Sequence, residues 1–156
     1  MRYRPYESAD FEPLYAIEEA CFELPQRFPR TYMRRILASR TGAAWVAEDE
    51  CGLAGFAVSS LRKTRDAQVA YIETIEVLED RRGQGIGGEL LVRIEESARA
   101  AAADAIALHV DTENVTAIRL YEAAGYKQTG REANFYPDRR PALVYCKPLS
   151  SRSGDC

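Results

Sequence analysis

Four glycines within six residues are the feature of this sequence most specific for binding chemistry. They lie in the run Arg81-Arg82-Gly83-Gln84-Gly85-Ile86-Gly87-Gly88, between a strand-like and a helix-like segment. Glycine lets backbone N–H groups turn toward one point, and the start of a helix adds partial positive charge there. Arg81 or Arg82 can add a charged contact. The run therefore predicts a cradle for a pyrophosphate group.

The same run fits two known patterns. Gly83, Gly85 and Gly88 fit G-x-G-x-x-G, which is only a weak signature of dinucleotide binding on its own. Arg82, Gly85 and Gly87 fit a second pattern, R-x-x-G-x-G. A dinucleotide fingerprint usually opens the first βαβ unit of a larger domain, whereas here the run lies in the middle of a short chain. Asp111 can supply a ribose-binding acid, so the dinucleotide interpretation stays open at this point.

Composition limits the possible classes of protein. A length of 156 residues predicts one domain, over 1–149, followed by a polar and disordered tail over 150–156. The net charge of −3 argues against a nucleic-acid binder. The chain lacks a signal peptide and an apolar run of the ~18 residues that a membrane span needs, which predicts a cytoplasmic protein with no membrane partner. The cysteine spacings and the single histidine predict no metal site.

Hydrophobic periodicity predicts the order β-α-α-β-β-β-α-β-α-β-β. This order indicates an α/β protein with one mixed sheet of about seven strands and four helices. We expect the second helix over 32–40, the sixth strand over 126–135 and the last strand over 142–148. The crossover helix that follows the glycine run should make the fourth and fifth strands parallel neighbours.

A second motif follows the fifth strand. Asn114, Ala117 and Tyr121 stand at spacings that put them on one face of a helix, and Gly125 ends that helix. The plain interpretation of this motif is an amphipathic helix with an asparagine cap and a tyrosine in the core.

Together the two motifs, at this separation, resemble those of the GNAT superfamily of acetyl-CoA-dependent N-acetyltransferases. R-x-x-G-x-G is similar to the acetyl-CoA signature of that superfamily. Within it, the chain is most similar to the ribosomal-protein alanine N-acetyltransferase branch. The segments that carry the resemblance are Ile75-Glu76-Val77, Arg82 to Gly88, Leu108-His109-Val110, Asn114 to Tyr126 and Asn134-Phe135-Tyr136-Pro137.

This resemblance implies a fold, a co-substrate and a set of residue roles. Acetyl-CoA would give its acetyl group directly to an amine, either a protein N-terminus or a small molecule, without a covalent enzyme intermediate. The backbone of Ile75, Glu76 and Val77 would pair with the pantetheine arm, Asn114 would contact that arm, and Tyr121 would lie beside the thioester sulfur. The pyrophosphate would bind to Arg82, Gly83, Gln84, Gly85, Ile86, Gly87 and Gly88. The enzyme would be a monomer or a homodimer.

The general base is where the chain departs from the family pattern. The nearest relatives carry a glutamate where this chain has His109. Glu73 is a substitute, because it resembles the strand glutamate that faces the acceptor in many small-amine acetyltransferases. Strand alternation predicts that Glu73, Ile75 and Val77 share one face, opposite Thr74 and Glu76. A solvated Glu73 and a core His109 are the plain alternatives, so both residues stay candidates beside Tyr121 as catalytic groups.

Two aromatic segments are candidate walls for an acceptor pocket, over 23–32 and over 134–137. Their plain interpretations are a helix connection and a β-hairpin. A different class of function also stays open, in which the chain binds acetyl-CoA as a sensor without turnover.

Overall fold

The computed structural model describes residues 1–149, and the predicted tail over 150–156 lies outside the described residues. Within the described part, seven strands form one sheet in the order β1-β2-β3-β4-β5-β7-β6. The strands are β1 (Arg2–Pro5), β2 (Ala43–Asp49), β3 (Gly52–Lys63), β4 (Gln68–Val77), β5 (Ala105–Asp111), β6 (Lys127–Glu132) and β7 (Ala142–Pro148). The helices are α1 (Phe11–Cys21), α2 (Arg30–Leu37), α3 (Ile86–Ala100) and α4 (Val115–Ala123). The predicted order and fold class are confirmed.

Helices cover both faces of the sheet. On one face, α3 buries Leu90, Leu91 and Ile94 against the central strands. On the other face, α1 and α2 bury Leu14 and Met33 against β2 and β3. This two-sided burial explains why β3 contains an almost continuous run of buried residues.

The parallel pair β4–β5 is confirmed, and it is short. Backbone pairing runs only from Val69↔Ala105 to Ile72↔Leu108. Beyond that point β4 continues along β3 to Val77, and β5 continues along β7 to Asp111. The two strands therefore diverge in the middle of the sheet and leave an opening between them.

Some predicted boundaries were wrong. The second helix occupies Arg30–Leu37 instead of 32–40, because Pro29 takes the N-cap position and the helix starts directly after it. The sixth strand ends at Glu132 instead of 135, because Asn134 has a φ of 56° and turns the chain out of the sheet. The earlier end of β6 lengthens the β6–β7 loop beside the opening, whereas the earlier start of α2 shortens the α1–α2 connection.

The sheet also decides against the dinucleotide interpretation. A dinucleotide fold needs a largely parallel sheet with its binding loop after the first strand. Here β4–β5 is the one parallel pair among the strands of residues 1–149, and the glycine run follows the fourth strand.

Candidate active site at the divergence of two parallel strands

A cavity of about 990 Å³ occupies the opening between β4 and β5. The two strands contribute Ile72–Ile75 and His109–Asp111 to its wall, and α4 contributes Tyr121. The α1–α2 connection and the β6–β7 connection close its outer side. Both predicted wall segments contribute residues to the lining of the cavity.

The glycine run turns sharply before α3, as predicted. Gly83 and Gly85 have left-handed φ values of +79° and +80°, and a Cβ built on either would meet no atom within 4 Å. Gly85 is the N-cap of α3, which begins at Ile86 with no side-chain cap, so the first amides of the helix remain available. The side chain of Ile86 is buried in the core, and only its backbone can serve a ligand.

The two arginines of the run have different partners. Arg81 binds the carboxylate of Asp49, on the far side of the loop. Arg82 donates from Nε to the carbonyl of Val77 at 3.0 Å, at the end of β4. The loop does not line the cavity itself, but Arg82 places it directly at the end of the strand that does. Gln84 is exposed at the tip of the loop.

The segment Ile75–Val77 pairs with β3 through Ala57, Phe56 and Gly55, and no strand of residues 1–149 pairs with its other edge. A free strand edge can pair with an extended, amide-containing arm. The Glu76 side chain is buried at 3% exposure on the α1 side, so its backbone alone is available to such an arm.

The two predicted residues of α4 both line the cavity. Asn114 is the N-cap of the helix, and its Oδ1 accepts the backbone N–H of Ala117 at 3.2 Å. Tyr121 is 6% exposed, and its hydroxyl has no hydrogen-bond partner among residues 1–149. Burial raises the pKa of Tyr121, so its hydroxyl keeps its proton throughout the neutral range.

His109 lies on the cavity wall and not in the core. Its Nδ1 is 2.7 Å from the hydroxyl of Tyr71, and its Nε2 is 3.1 Å from Oε1 of Glu132. The ring stacks on Phe135, with centroids 4.1 Å apart and planes at 6°. Burial raises the pKa of Tyr71 to about 12. These contacts form a polar chain from the cavity to the partly exposed Glu132 carboxylate.

Glu73 also lines the cavity, but its predicted face was wrong. The β3–β4 register shifts between Val58 and Ser59, so that Thr74 and Ile72 are paired and Glu73 is the extra residue of a bulge. The extra residue breaks the strict alternation. Glu73 consequently faces α2 and accepts hydrogen bonds from Tyr32 at 2.7 Å and from Ser60 at 2.9 Å.

The two outer loops touch each other across the cavity. Gln26, in the α1–α2 connection, donates from Nε2 to Asp138 of the β6–β7 connection at 2.7 Å. Arg140 binds the carboxylates of Asp111 and Glu113 at the inner end of the second loop. The outer wall of the cavity is thus joined by polar contacts above an aromatic lining.

Two residues of this site were missed from the sequence, Tyr71 and Glu132, and Tyr32 was predicted only as part of the wall segment over 23–32. Tyr71 is two residues before Glu73 on the same strand, and this spacing was the available signal. Tyr32 and Glu132 lie in other elements, and only the assembled sheet brings them to Glu73 and His109.

Residues 1–149 contain neither a metal-binding cluster nor a membrane-spanning helix. Over residues 1–149, no group of three or more histidine, cysteine, aspartate or glutamate side chains is arranged to hold a metal ion. In the same part of the chain, none of the helices has the length and apolar character needed to cross a membrane.

Comparison with curated proteins finds relatives of several kinds. The chain is 26% identical over 155 residues to an uncharacterized N-acetyltransferase of Methanocaldococcus jannaschii, covering 99% of this chain and 96% of that protein. It is 31% identical to N-alpha-acetyltransferase 60 of Danio rerio, covering 72% of this chain and 54% of that protein. It is 32% identical to aminoglycoside N(6')-acetyltransferase type 1 of Serratia marcescens, covering 65% of this chain and 74% of that protein.

Solved structures share the fold over almost the whole chain. Arabidopsis thaliana Naa50, in complex with the bisubstrate analogue CoA-Ac-MVNAL, has a TM-score of 0.81 at 25% identity, covering 95% of this chain and 98% of its own. The ribosomal-protein-S18-alanine N-acetyltransferase of Escherichia coli has a TM-score of 0.82 at 22% identity, covering 99% of this chain and 97% of its own. Residues 11–126 match the Acetyltransferase (GNAT) family. The chain belongs to the GNAT acetyltransferase family.

Proposed function

We propose that this chain transfers the acetyl group of acetyl-CoA to the α-amine of a peptide or protein N-terminus, by direct attack of the amine. The cavity at the β4–β5 divergence carries the proposal. It adjoins the glycine run at the end of β4, and two aromatic loops enclose its opposite side. Naa50, which shares this fold, was solved with an analogue that joins CoA to a peptide.

The chain offers suitable groups for each part of acetyl-CoA. The first amides of α3 and the guanidinium of Arg82 suit the phosphates, since open left-handed glycines let a phosphate approach the backbone. The free edge of Ile75–Val77 suits the pantetheine amides, beside Asn114. Acetyl-CoA bound there supplies an activated acetyl thioester and leaves as the thiol.

The acceptor amine must lose a proton, because a peptide α-amine has a pKa near 8. We assign this step to Tyr71 and His109. When the Tyr71 hydroxyl donates to Nδ1, the imidazole carries its proton on Nε2 and donates it to Glu132. A proton that leaves the amine through Tyr71 or a water then has a continuous path to a carboxylate at the surface.

Tyr121 is placed to assist the leaving thiol. Its hydroxyl is protonated, has no hydrogen-bond partner within residues 1–149, and belongs to a side chain that lines the cavity from α4. A protonated phenol can donate a hydrogen bond to a developing thiolate. Tyr121 therefore supplies a proton donor opposite the acceptor side.

A small-molecule amine is the second candidate acceptor, and Glu73 favours it. Its carboxylate has two hydroxyl donors and no ion pair with a cation among residues 1–149. An unneutralised carboxylate on the cavity wall suits an acceptor with several ammonium groups. The Serratia marcescens relative is named for acetylating aminoglycosides. In this case Glu73 is the base, and Tyr71 and His109 are wall residues.

An acceptor panel tests the proposal, with acetyl-CoA and detection of the released thiol. We expect release with peptides that have a free α-amine and none with the same peptides blocked at that amine. Faster release with a polyamine or an aminoglycoside than with any peptide would favour the second candidate. Tight acetyl-CoA binding without release of thiol for any amine would favour the sensor interpretation.

We further propose that residues 1–149 form one catalytic domain and that the protein is a cytoplasmic monomer or homodimer. Gel filtration tests the oligomeric state, and cell fractionation tests the location.

A further inference from the structure

Two buried glutamates lie together where the α1–α2 connection lines the cavity. Glu18 of α1 is 1% exposed and Glu76 of β4 is 3% exposed. A hydrogen bond between the two carboxyl groups lowers the pKa of Glu18 and raises that of Glu76. Glu18 Oε2 also accepts the backbone N–H of Phe28 at 3.0 Å, and Glu76 Oε2 accepts the hydroxyl of Thr74 at 2.7 Å. Oε1 of each glutamate is buried and has no hydrogen-bond partner within the described residues.

One proton between the two groups accounts for this geometry. Two contacting carboxylates away from water repel each other strongly, whereas an O–H···O⁻ contact satisfies both Oε1 atoms at once. Burial raises the pKa of both groups, and that of Glu76 rises well above its ordinary value. The contact with Glu18 raises the pKa of Glu76 further, whereas the same contact lowers the pKa of Glu18. Glu76 is therefore the protonated partner, and Glu18 is the carboxylate that accepts from Phe28.

The charged and titratable groups around the pair do not neutralise the two carboxyl groups in place of the shared proton. Arg27 favours the charged form of Glu18 from the α1–α2 connection, without an ion pair to it. Cys21 and Tyr15, on α1, are neutral, and burial raises the pKa of the Cys21 thiol to about 11. Arg82 approaches from the glycine run but contacts Cys21 and the Val77 carbonyl instead.

We propose that Glu18 and Glu76 share a single proton and are positioning residues that connect the acceptor-side loop, over 22–29, to the cofactor-side strand β4. The backbone of Phe28 is held at both ends from α1, because Glu18 accepts its N–H and Tyr15 donates to its carbonyl at 2.6 Å. Phe28 in turn packs against Tyr32, which binds the cavity residue Glu73. The inference rests on the proposed function in one respect: it assigns residues 22–29 to the acceptor.

A consequence is that the acceptor wall responds to pH. Loss of the shared proton at alkaline pH leaves two adjacent negative charges and loosens the contact that orders the loop. Strand β4 stays in place through its pairing with β3. Loss of the shared proton should therefore weaken the binding of the peptide and leave the binding of acetyl-CoA unchanged. The KM for the peptide should therefore rise with pH, while the KM for acetyl-CoA should stay constant.

Matched variants separate the shared proton from simple packing. In Glu18→Gln or Glu76→Gln, the amide N–H donates to the remaining carboxylate, so the contact persists without a titrating proton. Between about pH 7 and pH 10, we expect the ratio of the wild-type KM for a peptide to that of Glu76→Gln to rise at least about fivefold. In Glu18→Leu, which leaves the Phe28 N–H unpaired, that KM should rise at least about tenfold at neutral pH, with the KM for acetyl-CoA changed less than about threefold. Glu95→Gln is the control, a buried glutamate that binds Lys147 outside the cavity.

Amide hydrogen exchange of Phe28 in the free protein gives a second measurement that needs no turnover. The amide should exchange slowly in the wild type and in Glu18→Gln, and at least about tenfold faster in Glu18→Leu. On raising the pH, its protection should fall in the wild type and persist in Glu76→Gln. Equal protection in the wild type and Glu18→Leu, or the same pH dependence in the wild type and Glu76→Gln, would overturn the proposal. An inactive wild type with the expected exchange pattern would contradict the proposed function and leave the proton-sharing pair supported.

Discussion

The Tyr71 hydroxyl lies 2.7 Å from Nδ1 of His109, and this contact joins β4 to β5 across the start of their divergence. Tyr71 is still within the paired part of β4, and His109 is the first residue of β5 after the last pair, Ile72↔Leu108. The two side chains therefore bridge the inner edge of the cavity, at the point where an amine can reach both strands.

Removing either member of this contact should slow the reaction. We expect Tyr71→Phe and His109→Ala each to lower kcat/KM by at least about tenfold, because each interrupts the path that takes the proton from the amine. The double variant should lose little more than the worse single variant, since residues that act as a unit are not additive. Steady-state kinetics on the four proteins measure this coupling.

Glu73→Gln is the control variant for these kinetic measurements. It keeps an oxygen acceptor for the hydroxyls of Tyr32 and Ser60 and removes only the charge. We expect kcat/KM for a peptide to stay within about threefold of the wild-type value. A tenfold loss of kcat/KM in Glu73→Gln, with full activity in Tyr71→Phe and His109→Ala, would show that Glu73 is the base.

Tyr121→Phe should lower kcat by about 10²-fold, the usual scale for a missing general acid, with acetyl-CoA affinity almost unchanged. The raised pKa of Tyr121 means that its hydroxyl does not ionise near neutral pH, so this loss should be the same from about pH 6 to pH 9. A variant with wild-type kcat, under conditions where chemistry limits the rate, would show that Tyr121 only packs against Tyr126.

Gly87→Asp tests the phosphate cradle. Gly87 has no left-handed φ, and a Cβ there lies 3.5 Å from Leu120 and 3.8 Å from Val77, which are ordinary contacts. The added carboxylate should weaken acetyl-CoA binding at least tenfold, about 1.4 kcal/mol, by charge repulsion. Gly87→Asn has the same size without the charge and should retain more affinity. Calorimetry that gives equal affinity for folded Gly87→Asp and the wild type would contradict the assignment of this loop.

Folding stability should depend on pH through Glu76. Its pKa in the folded protein is raised, so folding takes up a proton at any pH between the unfolded and folded values. The unfolding free energy of the wild type should therefore fall relative to Glu76→Gln as the pH rises above about 4.5, by up to about 1.4 kcal/mol per pH unit for one proton. Below that pH the difference should be constant. Urea titrations at several pH values measure it, and parallel curves for the two proteins would show that Glu76 is not protonated.

The parts of the molecule that local sequence determines were predicted well. Gly83 and Gly85 adopt the left-handed conformations that glycine permits, and β7 has its predicted bounds, Ala142–Pro148. The direction of Glu73 was not predictable, because the bulge that sets it depends on how β3 aligns with β4. The contact of Tyr71 with His109 and that of Glu18 with Glu76 join residues far apart in the chain. No local pattern encodes either contact.

The position of the transferred acetyl group distinguishes an α-amine acceptor from the other amines. A peptide that carries both a free α-amine and a lysine side chain is incubated with acetyl-CoA and the enzyme, and fragmentation mass spectrometry locates the acetyl group. We predict that the peptide carries one acetyl group, on the α-amine. The Tyr71→Phe variant should form this product at least about tenfold more slowly than the wild type. Acetylation of the lysine side chain in preference to the α-amine, or unmodified peptide beside rapid acetylation of an aminoglycoside, would contradict this prediction.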